Sequence, residues 1–291
     1  MASDLLQYCL QHGQLPKQYL ILEPCAQLRT HQQKHLKNTH PQLFTDESPI
    51  EINWIETIPE QFSGIIVANE VLDAMPVQMV RYQKGWQQMM VGWRDEQLIW
   101  STQSCDQDIL EQISALNIPE TEGYTTEINR QGPAWLQSLA EHLSQGLILL
   151  IDYGMPKSSY YHPQRNAGTL RCHWQHHAHD NPLLHPGGQD ITAHVDFTTL
   201  AEAGMACGLD LLGYCHQAGF LLSLGLHEMP EATDGIDNQL KQSQQIKQLT
   251  LPSGMGELFK AIAFGKNIDS ALQGFQLLDQ RDQLFTESAS H

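Results

Sequence analysis

The stretch Gly64-Ile65-Ile66-Val67-Ala68-Asn69-Glu70-Val71-Leu72-Asp73-Ala74-Met75-Pro76-Val77 is a short apolar run that breaks directly into polar residues. A run of this length reads as a fully buried strand, of the kind found in a parallel sheet covered by helices. Polar residues straight after such a strand lie at its carboxyl end, where open α/β sheets place their chemistry. Glu70 and Asp73 are three residues apart, so a helical turn would set both carboxylates on one side. Such a pair either orients a cation such as guanidinium through charge-assisted hydrogen bonds or caps the N-terminus of a helix.

Outward from this strand, apolar runs and helical patterns alternate, which predicts an α/β fold with a parallel sheet. Upstream, the patterns give a helix over 3–12 closed by Gly13, a strand over 19–22, a polar helix over 27–38 and a strand over 51–55. Downstream, residues 77–102 switch to period-two alternation and read as an antiparallel β insertion, with turns near Lys84-Gly85 and Asp95-Glu96. Helices follow over 107–116 and 133–144, the second punctuated by Pro133 and Gly146. A core strand over 147–151 ends in Asp152-Tyr153-Gly154. Residues 153–192 are rich in His, Pro and Gly without periodicity, which marks a functional lid or binding loop. A helix over 196–204 and strands over 209–215 and 258–264 complete the pattern, the strands as a final antiparallel pair. One domain over 1–267 is expected, with insertions at about 77–104 and 153–192 and a peripheral tail over 268–291.

Composition bounds the partners. Sixteen Lys and Arg against 33 acidic residues give a net charge of -17, which repels phosphate backbones and argues against nucleic acid. A basic protein or peptide partner suits that surface, and an oligomer is compatible with it. No apolar run reaches the ~18 residues of a membrane helix. Six cysteines without a Cys-x-x-Cys pair, and no signal or transit segment, read as free thiols in a cytoplasmic protein.

Two further segments carry polar groups of interest. In Leu20-Ile21-Leu22-Glu23-Pro24 a carboxylate ends an apolar strand. There it either accepts hydrogen bonds from ribose hydroxyls or merely caps the strand in solvent. The loop holds Arg171, His173, His176, His177, His179, Asp180, His185, Asp190, His194 and Asp196. Their spacing matches no closed zinc motif and no His-Glu-x-x-His helix, so no metal site is assigned. His173 and His194 read as substrate contacts or members of a polar network.

Taken in order, Leu22-Glu23-Pro24, residues 69–77, Ile151-Asp152-Tyr153-Gly154, Gly168-Thr169-Leu170-Arg171, residues 190–197 and Met255-Gly256-Glu257-Leu258-Phe259-Lys260 resemble the MidA-like family of S-adenosylmethionine-dependent methyltransferases. Its mitochondrial members methylate an arginine on a respiratory complex I subunit. The resemblance implies a Rossmann-like class I methyltransferase sheet, S-adenosylmethionine as cofactor and a protein acceptor, with arginine as the methylated side chain. It implies cofactor binding by Glu23, Pro24 and Asn69, and a methyl-transfer site lined by Glu70 and Asp73. Asp152, Tyr153, Arg171, His173, His194 and Asp196 fall on the acceptor side. Family members carry an earlier core strand and a Gly-x-Gly-x-Gly loop, and Met1-Ala2-Ser3-Asp4-Leu5-Leu6 matches the helix after it. The expectation is therefore a sheet that lacks its first strand and glycine loop, in an N-terminally truncated chain. Its open neighbours would expose backbone edges and a core seam. Two other readings stand beside the enzyme. One is a binding or assembly protein that keeps the fold without the cofactor, and the other a metal-dependent hydrolase built on the histidine loop.

Overall fold

The computed structural model describes residues 1–175, 177–228 and 235–286. His176 of the histidine loop and residues 287–291 of the expected tail lie outside them. The chain divides into two compact units, Met1–Gln61 and Phe62–His291.

The first unit is a strand–helix–strand repeat preceded by a helix. Helix α1 (Ala2–Gln11) leads to β1 (Gln18–Leu22), α2 (Ala26–Thr39) and β2 (Glu51–Ile55), and β1 and β2 pair in parallel. Its core is Leu6, Leu36, Leu43 and Ile50, with Tyr19, Ile21 and Trp54 packed against them. The polar helix read over 27–38 buries little beyond Leu36.

The second unit holds three sheets. Its main sheet begins with β3 (Phe62–Asn69). The β insertion follows as β4 (Gln78–Tyr82), β5 (Trp86–Arg94) and β6 (Gln97–Ser104). Helix α3 (Gln107–Leu116) then returns the chain to β7 (Thr125–Ile128), a strand that the sequence pattern did not announce. These strands form an antiparallel sheet in the order β6-β5-β4-β7. Lys84, Gly85, Asp95 and Glu96 all have positive φ, as tight hairpin turns require.

Helix α4 (Gln131–His142) and β8 (Leu143–Met155) return the chain to the main sheet. Strand β8 is longer than the five apolar residues that announced it. Gly146, read as helix punctuation, instead lies inside β8, because a Cβ there would stand 1.9 Å from the Gly64 carbonyl oxygen on β3. The stretch read as structureless contains α5 (Lys157–Tyr160) and an antiparallel sheet of β9 (Arg171–Trp174), β10 (His177–His179) and β11 (Asp190–Thr192), in the order β10-β9-β11. Short β12 (Val195–Asp196) pairs in parallel with the end of β8 and runs into α6 (Phe197–Ala206).

Strand β13 (Asp210–His216), α7 (Gln217–Ser223), α8 (Ile236–Thr250) and β14 (Phe259–Lys266) finish the unit, giving a five-stranded main sheet in the order β12-β8-β14-β13, with β3 also paired to β8. β3 and β8 are parallel, whereas β14 is antiparallel to both its neighbours, as expected for the closing pair. β3 is not the fully buried strand its composition suggested. Among the described residues β8 is its one strand neighbour, and Ile65 is 66% exposed. The tail is not peripheral either, because Phe275 and Leu284 are buried. The Phe275 ring occupies the space that a side chain at Gly213 would need, since a Cβ there would meet the ring at 2.3 Å.

Candidate active site

At the end of β3, Glu70 adopts φ 52°, and residues 71–75 form a turn rather than the helical turn expected. The two carboxylates therefore part company. Glu70 is exposed and accepts a hydrogen bond from the Asn69 amide at 3.1 Å, while Asp73 is 5% exposed.

Asp152 builds this turn from β8. Its Oδ2 accepts the backbone N–H groups of Leu72 and Asp73 at 2.9 and 3.2 Å, and its Oδ1 accepts that of Tyr153 at 2.9 Å. Burial, and then the charge of nearby Asp73, push the Asp152 carboxyl up to about 7. Its work is to hold the turn, one step behind the acceptor contact that the resemblance implied.

The next side chain on β8 reaches Asp73 directly. The Tyr153 hydroxyl donates to Asp73 Oδ2 at 2.5 Å, and burial followed by that hydrogen bond raises the phenol well above its ordinary value. Asp73 Oδ1 is buried with no hydrogen-bond partner among the described residues, an acceptor open to a donor from outside them. His194 stands edge-on to Tyr153, ring centres 5.2 Å apart, and burial lowers its imidazole to about 4, so it is neutral at physiological pH. The preceding residue is tied in as well, because Ala193 N–H donates to the Asp73 carbonyl at 3.0 Å. Lys260 on β14 is the nearby amine, lowered by burial to about 8.

The structure thus brings Asp73, Asp152, Tyr153 and His194 together, with Asn69 and Glu70 at the adjoining strand end. It does not bring in the other acceptor-side residues. Arg171 is exposed and ion-paired with Asp180, and His173 is exposed on β9. Asp196 caps α6, accepting from Thr198 and Thr199 N–H groups at 3.1 and 3.2 Å, and burial raises it to about 6. The same helix start holds Thr198, whose hydroxyl accepts the Lys157 N–H at 3.0 Å and donates to the Leu284 carbonyl at 2.7 Å. Among the described residues no group of three His, Cys, Asp or Glu is placed to hold a metal ion. His185 instead stacks on Trp174, ring centres 4.0 Å apart. A cleft of about 870 Å³ adjoins the site, its wall including Leu72 and Val195, the chain neighbours of Asp73 and His194.

In the first unit, Glu23 follows β1 and is half-buried, its Oε1 accepting from Cys25 N–H at 3.0 Å and its Oε2 from the Gln32 amide at 2.9 Å. A carboxylate offers about four lone-pair positions, so two remain for the hydroxyls of a ribose. Pro24 beside it is exposed. Sequence reasoning passed over one buried carboxylate entirely. Glu127 on β7 is fully buried, and its only signal in the sequence was an acid between Thr126 and Ile128, in a segment given no element.

Comparison with known proteins agrees with this architecture. A family profile described as "Putative S-adenosyl-L-methionine-dependent methyltransferase" matches residues 1–215. The mitochondrial protein arginine methyltransferase NDUFAF7 homolog of Drosophila melanogaster is 28% identical over 246 residues, 77% of this chain and 52% of that protein. The human mitochondrial protein arginine methyltransferase NDUFAF7 is 28% identical over 235 residues, 75% and 49% of the two chains. The chain spans about half the length of the curated relatives it matches. A Burkholderia thailandensis superfamily member, crystallised with S-adenosyl-homocysteine, is 36% identical with a TM-score of 0.88 over 97% of this chain and 72% of that one. A native crystal structure from the same organism and superfamily is 37% identical, TM-score 0.89, over 97% and 75%.

Proposed function

This chain belongs to that methyltransferase family, and on that premise we propose that it serves methyl transfer from S-adenosylmethionine to a protein side chain, arginine above others. One observation carries the reading: a buried carboxylate, Asp73, with one oxygen held by Tyr153 and the other without a donor. An arginine N–H supplies the missing donor and pairs with the carboxylate in a charge-assisted bond. The names of the curated relatives support a protein acceptor and arginine within it. The net charge of -17 favours a basic acceptor segment.

Within the first unit Glu23 keeps lone pairs that fit ribose hydroxyls, and within the second Asp73 and Tyr153 fit an acceptor nitrogen. Glu23 would hold the ribose hydroxyls, with Asn69 lining the strand end beside the acceptor. When bound, S-adenosylmethionine supplies an electrophilic methyl group. Asp73 orients the nucleophilic nitrogen, Tyr153 fixes Asp73, and Asp152 fixes the turn that carries it, so the protein's contribution is positioning. Exposed Glu70 adds a second carboxylate at the mouth.

Calorimetric titration of the chain with S-adenosyl-homocysteine, followed by radiolabelled methyl transfer to an arginine-bearing protein, tests this. Asp73→Asn is expected to lower transfer about 100-fold while leaving cofactor heat unchanged. Equal transfer by Asp73→Asn and Glu70→Gln would remove the carboxylates from the reaction. A second reading, a binding protein that keeps the fold, rests on one observation: no strand among the described residues enters a helix through a glycine cluster. Absence of heat in a folded sample would favour it.

A further inference from the structure

Glu127 is 0% exposed and has no basic partner among the described residues. Burying a carboxylate this deeply is costly unless donors surround it. Here they come almost wholly from one turn. Thr169 N–H lies 3.0 Å from both carboxylate oxygens, Leu170 N–H 3.2 Å from Oε1, and the Thr169 hydroxyl 3.1 Å from Oε2. The Tyr160 hydroxyl adds a longer bond at 3.4 Å. The turn is moulded onto the carboxylate: Gly168 has φ 76°, and a Cβ there would fall 2.1 Å from Glu127 Oε1.

The contact does not stop at the turn. While its proton goes to Glu127, the Thr169 hydroxyl oxygen accepts the backbone N–H of His194 at 3.1 Å. His194 in turn stands against Tyr153, and Tyr153 donates to Asp73. Hydrogen bonds therefore lead from the inserted four-stranded sheet to the His194 backbone, and an edge-on ring contact leads on from His194 to Tyr153 and the acceptor carboxylate.

We propose that Glu127 is a positioning residue for the acceptor site, fixing the His194 backbone through the Thr169 hydroxyl and so setting the imidazole against Tyr153. This rests on the reading of Asp73, Tyr153 and His194 as the acceptor site. An apolar side chain here would leave the buried N–H groups of Thr169 and Leu170 without an acceptor, so the carboxylate is what orders this turn. The carboxylate also gives direction, because three donors of this one turn converge on it.

The ring of His194 reports its own placement. Tyr153 stands against it, and the charges of Arg165, Arg171 and Lys260 act on it through space. Nitrogen-15 NMR of the histidine rings across pH, with His194 identified by its loss in His194→Gln, gives its midpoint. Thr169→Ser keeps the bridging hydroxyl and is expected to keep the wild-type midpoint. Thr169→Val removes it at nearly constant volume, so the ring moves toward solvent and its proton affinity rises at least tenfold. Glu127→Gln shifts it in the same direction and carries the test if the valine variant does not fold. A folded Thr169→Val or Glu127→Gln protein, judged by near-ultraviolet circular dichroism, that retains the wild-type midpoint overturns the proposal. So does a serine variant that behaves like valine. The readout involves no cofactor, so a failure of the methyltransferase reading, seen as absent cofactor heat, is distinguished from it.

Discussion

Raising the pH from about 5.5 to about 8 should weaken the second unit through Asp152. Burial and the neighbouring Asp73 charge lift this carboxyl from 3.8 to about 7, so between those values the folded chain holds a proton that the unfolded chain has released. A folded-state value above the unfolded one contributes stability that is complete below the unfolded value and disappears as pH rises through the folded one. The full shift of about three units corresponds to roughly 4 kcal/mol, of which about 2 kcal/mol falls between pH 5.5 and 8. Asp196, raised to about 6, adds a smaller loss in the same direction. His194, lowered to about 4, works oppositely: its contribution is present above the unfolded value of 6.5 and fades as pH falls toward 4. Asp152→Asn separates these. The amide oxygen retains the Leu72 and Asp73 donors but meets the Tyr153 N–H with its own donor, a penalty that does not vary with pH. Thermal unfolding of both proteins across the range is the assay. The wild type should lose about 4–8 °C more than the variant between pH 5.5 and 8. Parallel curves would show that Asp152 does not titrate there and that its burial has been misread.

Two other changes probe the site and the tail. Tyr153→Phe removes from the Asp73 carboxylate its one donor among the described residues at the cost of one oxygen atom, and urea unfolding should show a loss of about 1–3 kcal/mol; a loss below about 0.5 kcal/mol would mean that water replaces the hydroxyl. Phe275→Ala empties the space over Gly213 and breaks contact with Phe220, ring centres 5.3 Å apart. It should cost about 3–5 kcal/mol by the same assay, whereas a peripheral tail would register almost nothing.

What the sequence revealed follows from the range of the forces involved. Strands β1, β2, β13 and β14, helices α1, α3 and α6, and the two hairpin turns were legible because periodicity and turn chemistry are local. Strands β7 and β9 to β11 were not: β7 has only four residues and pairs with β4 well upstream, and β9, β10 and β11 have only four, three and three, too few to show a period. Gly146 shows the ambiguity well. A glycine after a helix and a glycine under a neighbouring carbonyl look alike until the neighbour, Gly64, is in place. In the site, Glu70 and Asp73 were visible by type and position. Their separation into an exposed and a buried carboxylate was not, because the turn between them is set by Asp152, about 80 residues onward. Glu127 was hidden for the same reason, its meaning residing in Thr169 and Leu170.

The Thr198 hydroxyl has a consequence for the order in which the molecule is made. It sits between the Lys157 amide and the Leu284 carbonyl, 86 residues further along. Synthesis proceeds at about 5–20 residues per second, so the second of these bonds waits several seconds after the first becomes available. During that interval the start of α6, with Asp196 already capping it, holds one of its two external ties. Full anchoring of the α6 start is thus a late event in the birth of the chain, timed by the emergence of residue 284 from the ribosome. Exchange of the Thr198 and Thr199 amides during pulsed synthesis would mark that moment.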